Sequence, residues 1–320
     1  MAMQLPYNEN AEKVVLGAAL LSERSAGYVM TSVVEDHFFL ARHKVIFEAM
    51  RHLFDNRKPI DTTTLVDELL NTNKSMVRFG DGEMTMMMGK NLQLENHQQQ
   101  LADSMKRIIG YEHDNLMVAI CNIFGSLDIY RKESQEFWKD HLVVRRKEYA
   151  KLCNPKKVYG NATISRCYYM YQDKSKCAEQ FERIRQIWKD KDVVVVEGSR
   201  THNGVGNDLL DTAKSITRII GPSKDAYLRI EQIYEECCRF SKEHLILISL
   251  GAAAKPLTER LYLEGYRVLD IGNLDMEYEW FLMKAKAKVK IPKHEIVGEE
   301  ANLKAGYEKY LNEIKVMIES

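Results

Sequence analysis

Two carboxylates in a glycine-rich stretch are the clearest candidates for chemistry. Asp81 and Glu83 are separated by Gly82 and preceded by Gly80. Mg²⁺ and Mn²⁺ take oxygen ligands, and they commonly bind one or two carboxylates together with the phosphates of a substrate. The two glycines would let a bulky phosphate approach the backbone closely. The stretch predicts a metal-assisted site for a phosphate or nucleotide-sugar ligand, and a solvated turn is the alternative that this short pattern leaves open.

A second acidic group follows the last strand that we predict for the sheet. Asp275, Glu277 and Glu279 lie close together and alternate with aromatic residues. If the segment is helical, Asp275 and Glu279 share a face and Glu277 points elsewhere. A carboxylate held against apolar rings has a raised pKa, which suits a general base. An acidic helix start with buried aromatic side chains is the alternative.

Two other stretches could position a phosphorylated ligand. Arg166 is followed by several tyrosines, so it could bind a diphosphate while a ring stacks on a base or sugar. The loop from Gly204 to Asp208 is predicted to open a helix through residues 209–216, whose free amides would suit a phosphate. The alternatives are a surface loop anchored by buried tyrosines and, for Asp208, a helix cap alone.

The elements that must position these residues predict an α/β fold. Apolar strands are predicted at residues 75–79, 192–196, 245–250 and 266–271, and small-residue turns and helices follow them. Three strand–turn–helix units indicate a Rossmann-like, mostly parallel sheet with flanking helices, whose ligands bind at the carboxyl ends of the strands. Neither glycine loop has the Gly-x-Gly-x-x-Gly pattern, so a dinucleotide cofactor is not predicted.

The remaining segments are predicted mainly as helices. Apolar residues at helical spacing predict helices at 10–22 and 45–54, and a third from Asp61 or Thr62 to Leu70. These form a small all-α segment before the sheet. Helices are also predicted between 98 and 140 and at 303–318, whereas residues 143–149 fit either a strand or a helix.

The composition excludes several classes of function. Lysine plus arginine equals aspartate plus glutamate at 46 each, so no overall field favours nucleic acid or an acidic membrane. The longest apolar runs are too short to cross a bilayer, and the first residues do not resemble a signal peptide. The six cysteines have no zinc-type spacing, which is typical of reduced thiols. We therefore expect a cytoplasmic protein that binds no nucleic acid and has no transmembrane segment.

The amino-acid sequence of the first segment resembles that of a known family. Residues 5–21, the sequence Asp-His-Phe-Phe at 36–39, and residues 43–50 and 59–69 resemble the N-terminal domain of DnaB-type replicative helicases. That domain makes subunit and partner contacts and has no catalytic residues. No Gly-x-x-x-x-Gly-Lys-Ser/Thr loop occurs in the chain, so the helicase motor is not predicted. We expect a domain at 1–69 that docks a partner or forms a homo-oligomer, followed by a second domain at 70–320.

Several motifs of the second domain occur in one order: 78–83, 161–166, 196–208 and 270–280. Over about residues 70–290 they resemble the GT-D type glycosyltransferases of bacterial glycoprotein and surface-glycan gene clusters. This resemblance implies a metal-dependent transfer of a hexose, commonly glucose from UDP-glucose, to a glycan or glycoprotein acceptor.

The resemblance also assigns roles to individual residues. It implies that Asp81 and Glu83 hold Mn²⁺ or Mg²⁺, and that Glu277 or Glu279 is the base with Asp275 orienting it. The residues expected to bind the substrate are Arg78, Gly80, Arg166, Glu197, Arg200, Gly206, Asn207, Asp208 and Gly251. Two features depart from the family pattern: Asn273 stands where we expect histidine, and the turn at 252–256 is looser than usual. Both affect the expected binding of the donor, and neither affects the carboxylates.

Two other functions compete with a glycosyltransferase. A non-catalytic interaction module would use the N-terminal helices for partner docking or oligomerisation. A metal-dependent phosphohydrolase would share the carboxylate pair, but the sequence contains no motif for an aspartate nucleophile.

Overall fold

The structure is a computed structural model, and it describes residues 8–21, 25, 29–30, 32–55, 62–154, 157–294 and 306–319. Asp61, one of the two predicted cap residues of the third helix, lies outside this part of the chain. Among the described residues, no helix combines the length and the apolar character needed to cross a membrane.

The first helices form a small cluster of their own. Helices α1 (Glu9–Leu21) and α2 (Ala41–Asp55) flank a 3₁₀ turn at Glu35–His37. Their contact buries Leu16, Phe38 and Phe47. Helix α3 (Thr62–Asn71) instead buries its apolar face in the core of the sheet. The predicted domain division after residue 69 stays a prediction, and the packing places α3 with the sheet.

The rest of the described chain is built on one sheet. Its strands are β1 (Ser75–Phe79), β2 (Leu116–Ile120), β3 (Gly160–Asn161), β4 (Asp192–Gly198), β5 (Ser215–Gly221), β6 (Leu245–Ser249), β7 (Arg267–Asp270) and β8 (Ile314–Met317). They lie in the order β3-β2-β1-β7-β6-β4-β5-β8, and every named pair is parallel. The predicted α/β class with a Rossmann-like, mostly parallel sheet is confirmed.

Helices cover the sheet. They are α4 (Asp81–Met87), α5 (Gln99–Gly110), α6 (Lys132–Leu152), α7 (Cys177–Gln186), α8 (Ile230–Cys238), α9 (Ala254–Leu263), α10 (Leu274–Leu282) and α11 (Tyr307–Glu313). The consecutive valines of β4 show why helices must cover both faces of the sheet. Val193 and Val195 pack into one core cluster, while Val194 and Val196 pack into another. Successive side chains point to opposite faces of a strand, so a strand that is apolar throughout lies at the centre of a covered sheet.

Three predictions of secondary structure were wrong. Strand β2 lies within the segment predicted as helices, β5 begins where residues 209–216 were predicted to be helical, and the predicted closing helix is split into α11 and β8. A short apolar run does not reveal by its period whether it is a buried strand or part of a helix. The undecided residues 143–149 are helical and belong to α6.

Candidate active site

A large open cleft lies at the carboxyl ends of the strands. Its volume is about 1010 Å³, and its walls come from the residues that follow β1, β4, β6 and β7 together with the loop at 92–95. In open parallel sheets this edge is where ligands bind, because the loops there are free to carry binding groups. Of the sequence-predicted site residues, the cleft brings together Arg78, Gly80, Asp81, Glu83, Arg166, Arg200 and Gly251.

The two carboxylates next to β1 lie in the first turn of a helix. No helix was predicted in this glycine-rich stretch, but α4 begins at Asp81 directly after the strand. The amide of Gly80 donates a hydrogen bond of 2.8 Å to Glu83 Oε2, so Glu83 reaches back and caps the start of the helix. Asp81 and Glu83 therefore have different surroundings although one residue separates them.

Glu83 belongs to a buried network of charges. The ammonium of Lys255 lies 2.8 Å from Glu83 Oε1 and 3.1 Å from Asp270 Oδ2. Arg78 Nη2 contacts Asp270 Oδ1 at 3.1 Å. Burial opposes the charge on Glu83, but the nearby Lys255 outweighs burial and holds the pKa of this carboxyl below its usual value. The pKa of Asp270 is likewise lowered by Lys255 and Arg78 against the effect of burial.

Arg78 lines the cleft, but its guanidinium is held by other groups of the protein and positions them. Its guanidinium donates to the carbonyls of Asp270 (2.7 Å) and Ala162 (3.0 Å) and to the hydroxyl of Ser165. Gly272 makes this possible, because a Cβ there would overlap Arg78 Nη2 and the residue has φ +46°. Arg78 thus ties the ends of β1 and β7 to the turn that carries Arg166.

Asp81 is the carboxylate that is free to meet a ligand. It lines the cleft, and no other described residue forms a hydrogen bond or ion pair with its side chain. Among the described residues, no three His, Cys, Asp and Glu side chains are grouped to hold a metal by themselves. The residues nevertheless fit a divalent cation that Asp81 contacts and that takes its other ligands from phosphate oxygens and water. Glu83 joins such a site only by exchanging its contact with Lys255.

Two arginine side chains in the cleft have no hydrogen-bond or ion-pair partner among the described residues. Arg166 and Arg200 line its wall, and neither forms a hydrogen bond or ion pair with another described residue. Arg200 follows β4 and is exposed, whereas Arg166 ends the 3₁₀ turn Ala162–Arg166 and is half-buried. Guanidinium groups in this state are suited to binding phosphate oxygens.

The acidic group on α10 lies outside the cleft wall. Asp275 and Glu279 share Asn207 as a hydrogen-bond donor, at 2.9 Å and 2.7 Å, so the prediction that they share one face is confirmed. Glu277 points elsewhere and accepts the amides of Tyr168 (3.1 Å) and Tyr169 (2.8 Å). Burial raises the pKa of Glu277 despite these bonds. All three side chains hold neighbouring loops together, and the structure does not bring them to the ligand space.

The other predicted binding residues also have structural contacts. The prediction of a helix after Gly206 was wrong, because residues 201–214 form turns, and Asp208 therefore caps no helix. Asp208 instead accepts the hydroxyl of Tyr278 at 2.6 Å. Glu197 is fully buried and pairs with Arg218 at 2.6 Å. Gly206, Asn207, Asp208 and Glu197 are not among the described residues that line the cleft.

Sequence reasoning missed several charged residues of this site. Asp270 ends a predicted strand, which is a usual place for a functional carboxylate, and that position could have singled it out. Lys255 belongs to the turn at 252–256, which we noted only as a departure from the family pattern. Glu95 gave no signal, because it lies in the irregular loop between α4 and α5. It is almost fully buried at the cleft wall, and its Oε1 has no hydrogen-bond partner.

Glu95 makes the stability of the protein depend on pH. Burial raises the pKa of this carboxyl from about 4.5 to about 7, and Asp225 nearby adds to the effect. Below pH 4.5 both the folded and unfolded states hold the proton. Between pH 4.5 and 7 only the folded state keeps it, so stability falls as the pH rises, and above pH 7 the loss is complete. With allowance for residual hydration the loss is about 1–2 kcal/mol.

Glu95→Gln should therefore raise the free energy of unfolding by about 1–2 kcal/mol at pH 8 and change it little at pH 4.5. Urea denaturation at both pH values measures this. Glu243→Gln, at an exposed position before β6, is the matched control and should have no pH-dependent effect. Equal changes at the two pH values would contradict the assignment.

Comparisons with known proteins identify the families to which the two parts of the chain are similar. The family model for the glycosyltransferase GT-D fold matches residues 76–299, and that for the DnaB-like helicase N-terminal domain matches residues 4–103. Both resemblances expected from the sequence are thus confirmed. The two matches overlap at 76–103, which the structure folds as β1, α4 and part of α5.

Curated relatives match the two parts separately. The chain is 40% identical over 227 residues to the probable glycosyl transferase Gly of Streptococcus gordonii, which is 71% of this chain and 33% of that protein. It is 40% identical over 234 residues to the glycosyltransferase GlyD of Streptococcus pneumoniae serotype 4, which is 73% of this chain and 28% of that protein. The replicative helicase DnaB of Haemophilus influenzae is 38% identical over 60 residues, 19% of this chain and 13% of that protein. The chain thus spans about a third of the length of the glycosyltransferase relatives that it matches.

Solved structures show a likeness over about four fifths of the chain. A protein from Streptococcus sanguinis described as a new glycosyltransferase is 37% identical, has a TM-score of 0.75, and aligns over 81% of this chain and 98% of its own. A domain described as having a distinct glycosyltransferase fold is 33% identical with a TM-score of 0.73, over 79% of this chain and 94% of its own. On the match of the family model to most of its length, the chain belongs to the glycosyltransferase GT-D fold family.

Proposed function

We propose that this chain transfers a hexose, with glucose from UDP-glucose as the expected donor, to a hydroxyl group of a glycan or glycoprotein acceptor. The observation that carries the proposal is that one cleft combines the carboxylate of Asp81 with the guanidinium groups of Arg166 and Arg200, and that none of the three is paired with another described residue. A cleft of about 1010 Å³ is large enough for a nucleotide-sugar together with part of an acceptor.

The charges in the cleft suit a donor that carries a diphosphate. Arg166 and Arg200 would bind its oxygens, and the turn at Gly251 lines the same cleft. A Mn²⁺ or Mg²⁺ ion held at Asp81 would neutralise charge on the departing nucleotide. Lys255 keeps Glu83 in place behind Asp81, so the start of α4 is already fixed before a ligand binds.

The identity of the base is a separate matter. Glu277 and Glu279 as candidate bases, and Asp275 as the residue that orients the base, stay predictions. The contacts of Glu277 and Glu279 with backbone amides, Asn207 and Lys293 favour a structural role for both. Asp275 keeps the predicted orienting role in our proposal.

A panel of nucleotide-sugars tests the function. With a mixture of glycans or glycopeptides as acceptor, we expect turnover with a UDP-hexose in Mn²⁺ or Mg²⁺ and a large loss when the metal is chelated. The measurement is UDP release together with the mass of the glycosylated product. Phosphate release from simple esters without glycosyl transfer would instead support the phosphohydrolase alternative and overturn the proposal.

The N-terminal helices are proposed as an interaction module that accompanies the enzyme. The side chains of Val14, Leu20 and Val45 are more than half exposed, and a partner or second copy would cover them. Light scattering of the full chain tests whether it forms a homo-oligomer. A monomer at high micromolar concentration would contradict the homo-oligomer, and a different partner would then be the remaining proposal. A cytoplasmic location belongs to the same proposal, which the six unpaired cysteines support.

A further inference from the structure

His294 stands at the cleft wall in the geometry of an oriented base. It ends the 3₁₀ turn Pro292–His294, and its Nε2 lies 2.8 Å from Asp275 Oδ2. The other oxygen of Asp275 accepts the amide of Gly204 at 2.8 Å and the side-chain amide of Asn207 at 2.9 Å. Since the carboxylate is held from two other sides, the imidazole that bonds to it has a fixed orientation.

The hydrogen bond determines which nitrogen carries the proton. Burial opposes ionisation of Asp275, but its hydrogen bond to His294 and the charge of Lys293 hold the pKa of the carboxyl below its usual value. An ionised carboxylate can only accept, so Nε2 of the neutral ring is the donor. Nδ1 is then the basic nitrogen, and no other described residue bonds to it.

His294 contacts a cluster of charged side chains through Asp275. The carboxylates of Asp275 and Glu279 share one cation, the ammonium of Lys293, at 2.8 Å and 2.7 Å. With both carboxylates ionised these three groups carry a net charge of −1, which would stabilise the imidazolium that forms when the ring accepts a proton in the reaction. Among the other described residues, His202 also faces this cluster, and burial lowers its pKa.

We propose that His294 is the general base that accepts the proton of the acceptor hydroxyl, and that Asp275 is the residue that positions it. This inference rests on the proposed hexosyl transfer. The acceptor oxygen forms a bond to C1 of the donor sugar while the bond from C1 to the diphosphate oxygen breaks. The electron pair leaves with the diphosphate, and the hydroxyl proton moves to His294 Nδ1. The step is a single displacement with inversion at C1.

The alternative role for His294 is to tie the turn at 292–294 to α10. His294→Gln separates the two roles, because glutamine can donate a hydrogen bond to Asp275 but cannot take up a proton. We expect kcat for transfer to fall at least about 100-fold with little change in the donor KM. The acidic limb of the pH profile of kcat/KM should disappear, and imidazole should restore part of the activity of His294→Ala. His244→Gln, beside the amino end of β6, is the matched control and should behave as the native chain.

The outcomes distinguish this inference from the proposed function. A native chain that transfers hexose while His294→Gln retains its kcat would overturn the inference and leave the function standing. The inference would also be overturned if His294→Gln loses thermal stability together with kcat and imidazole does not rescue His294→Ala. Nitrogen NMR of the full chain gives a test that needs no turnover: a neutral ring with its proton on Nε2 supports the inference, and a proton on Nδ1 contradicts it.

Discussion

Replacement of Asp81 by asparagine is expected to lower hexosyl transfer by about 100- to 1,000-fold with little change in stability. Asparagine has nearly the same size and can still stand in the first turn of α4. It lacks the charge that a divalent cation and the departing diphosphate require. Asp81 has no hydrogen bond to another described residue through its side chain, so the folded state loses no contact when the charge is removed. Such a loss corresponds to about 3–4 kcal/mol of transition-state stabilisation.

The measurement is kcat/KM for the native chain and Asp81→Asn over a range of Mn²⁺ concentrations. Higher Mn²⁺ should recover part of the lost activity, because the variant binds the ion more weakly. Asp103→Asn, an exposed carboxylate on α5, is the matched control and should keep full activity. If Asp81→Asn is as active as the native chain at low Mn²⁺, the cation does not bind at Asp81 and the metal part of the proposal is wrong.

The sheet could be predicted from the sequence where apolar runs end in small residues. β4, β6 and β7 are such runs, and their parallel pairing follows because helices separate them along the chain. β2 and β5 could not be recognised, since each lies next to segments with helical spacing. Their apolar side chains satisfy either pattern, and only pairing with β1 and β4 makes them strands. Tertiary contacts thus decided what the local pattern left open.

The site was predictable in its residue types but not in its pairings. Asp81, which lines the cleft, could be singled out because its glycine neighbours and its place after a strand are local features. The ion-pair partner of Glu83 could not be predicted, since Lys255 lies 172 positions away in the sequence. The same limit applies to α10, where aromatic and acidic residues suggested a base. Their environment is fixed by Asn207, Lys293 and His294, and no local rule connects these residues to α10.

Replacement of Lys255 by methionine is expected to destabilise the protein by about 3–5 kcal/mol at pH 7. Methionine fills a similar volume but leaves Glu83 without its cation and leaves Asp270 with Arg78 alone. A buried carboxylate without a partner is costly because it has lost its water and gained nothing in return. Urea denaturation measures the loss, and Lys106→Met, at a partly exposed position on α5, should change stability by less than about 0.5 kcal/mol.

The dependence of this loss on pH and on a second substitution shows its cause. In the native chain the lowered pKa values of Glu83 and Asp270 give stability that is present above their usual pKa values and is lost as the pH falls through the lowered ones. Without Lys255, burial raises the pKa of Glu83, so the deficit of the variant should be largest at neutral pH and shrink towards pH 4. Glu83→Gln should likewise cost less in the Lys255→Met background than in the native chain, because glutamine removes the unpaired charge. Losses that add without coupling and do not vary with pH would show that the variant suffers from packing alone, and that Lys255 does not hold the start of α4 in place for Asp81.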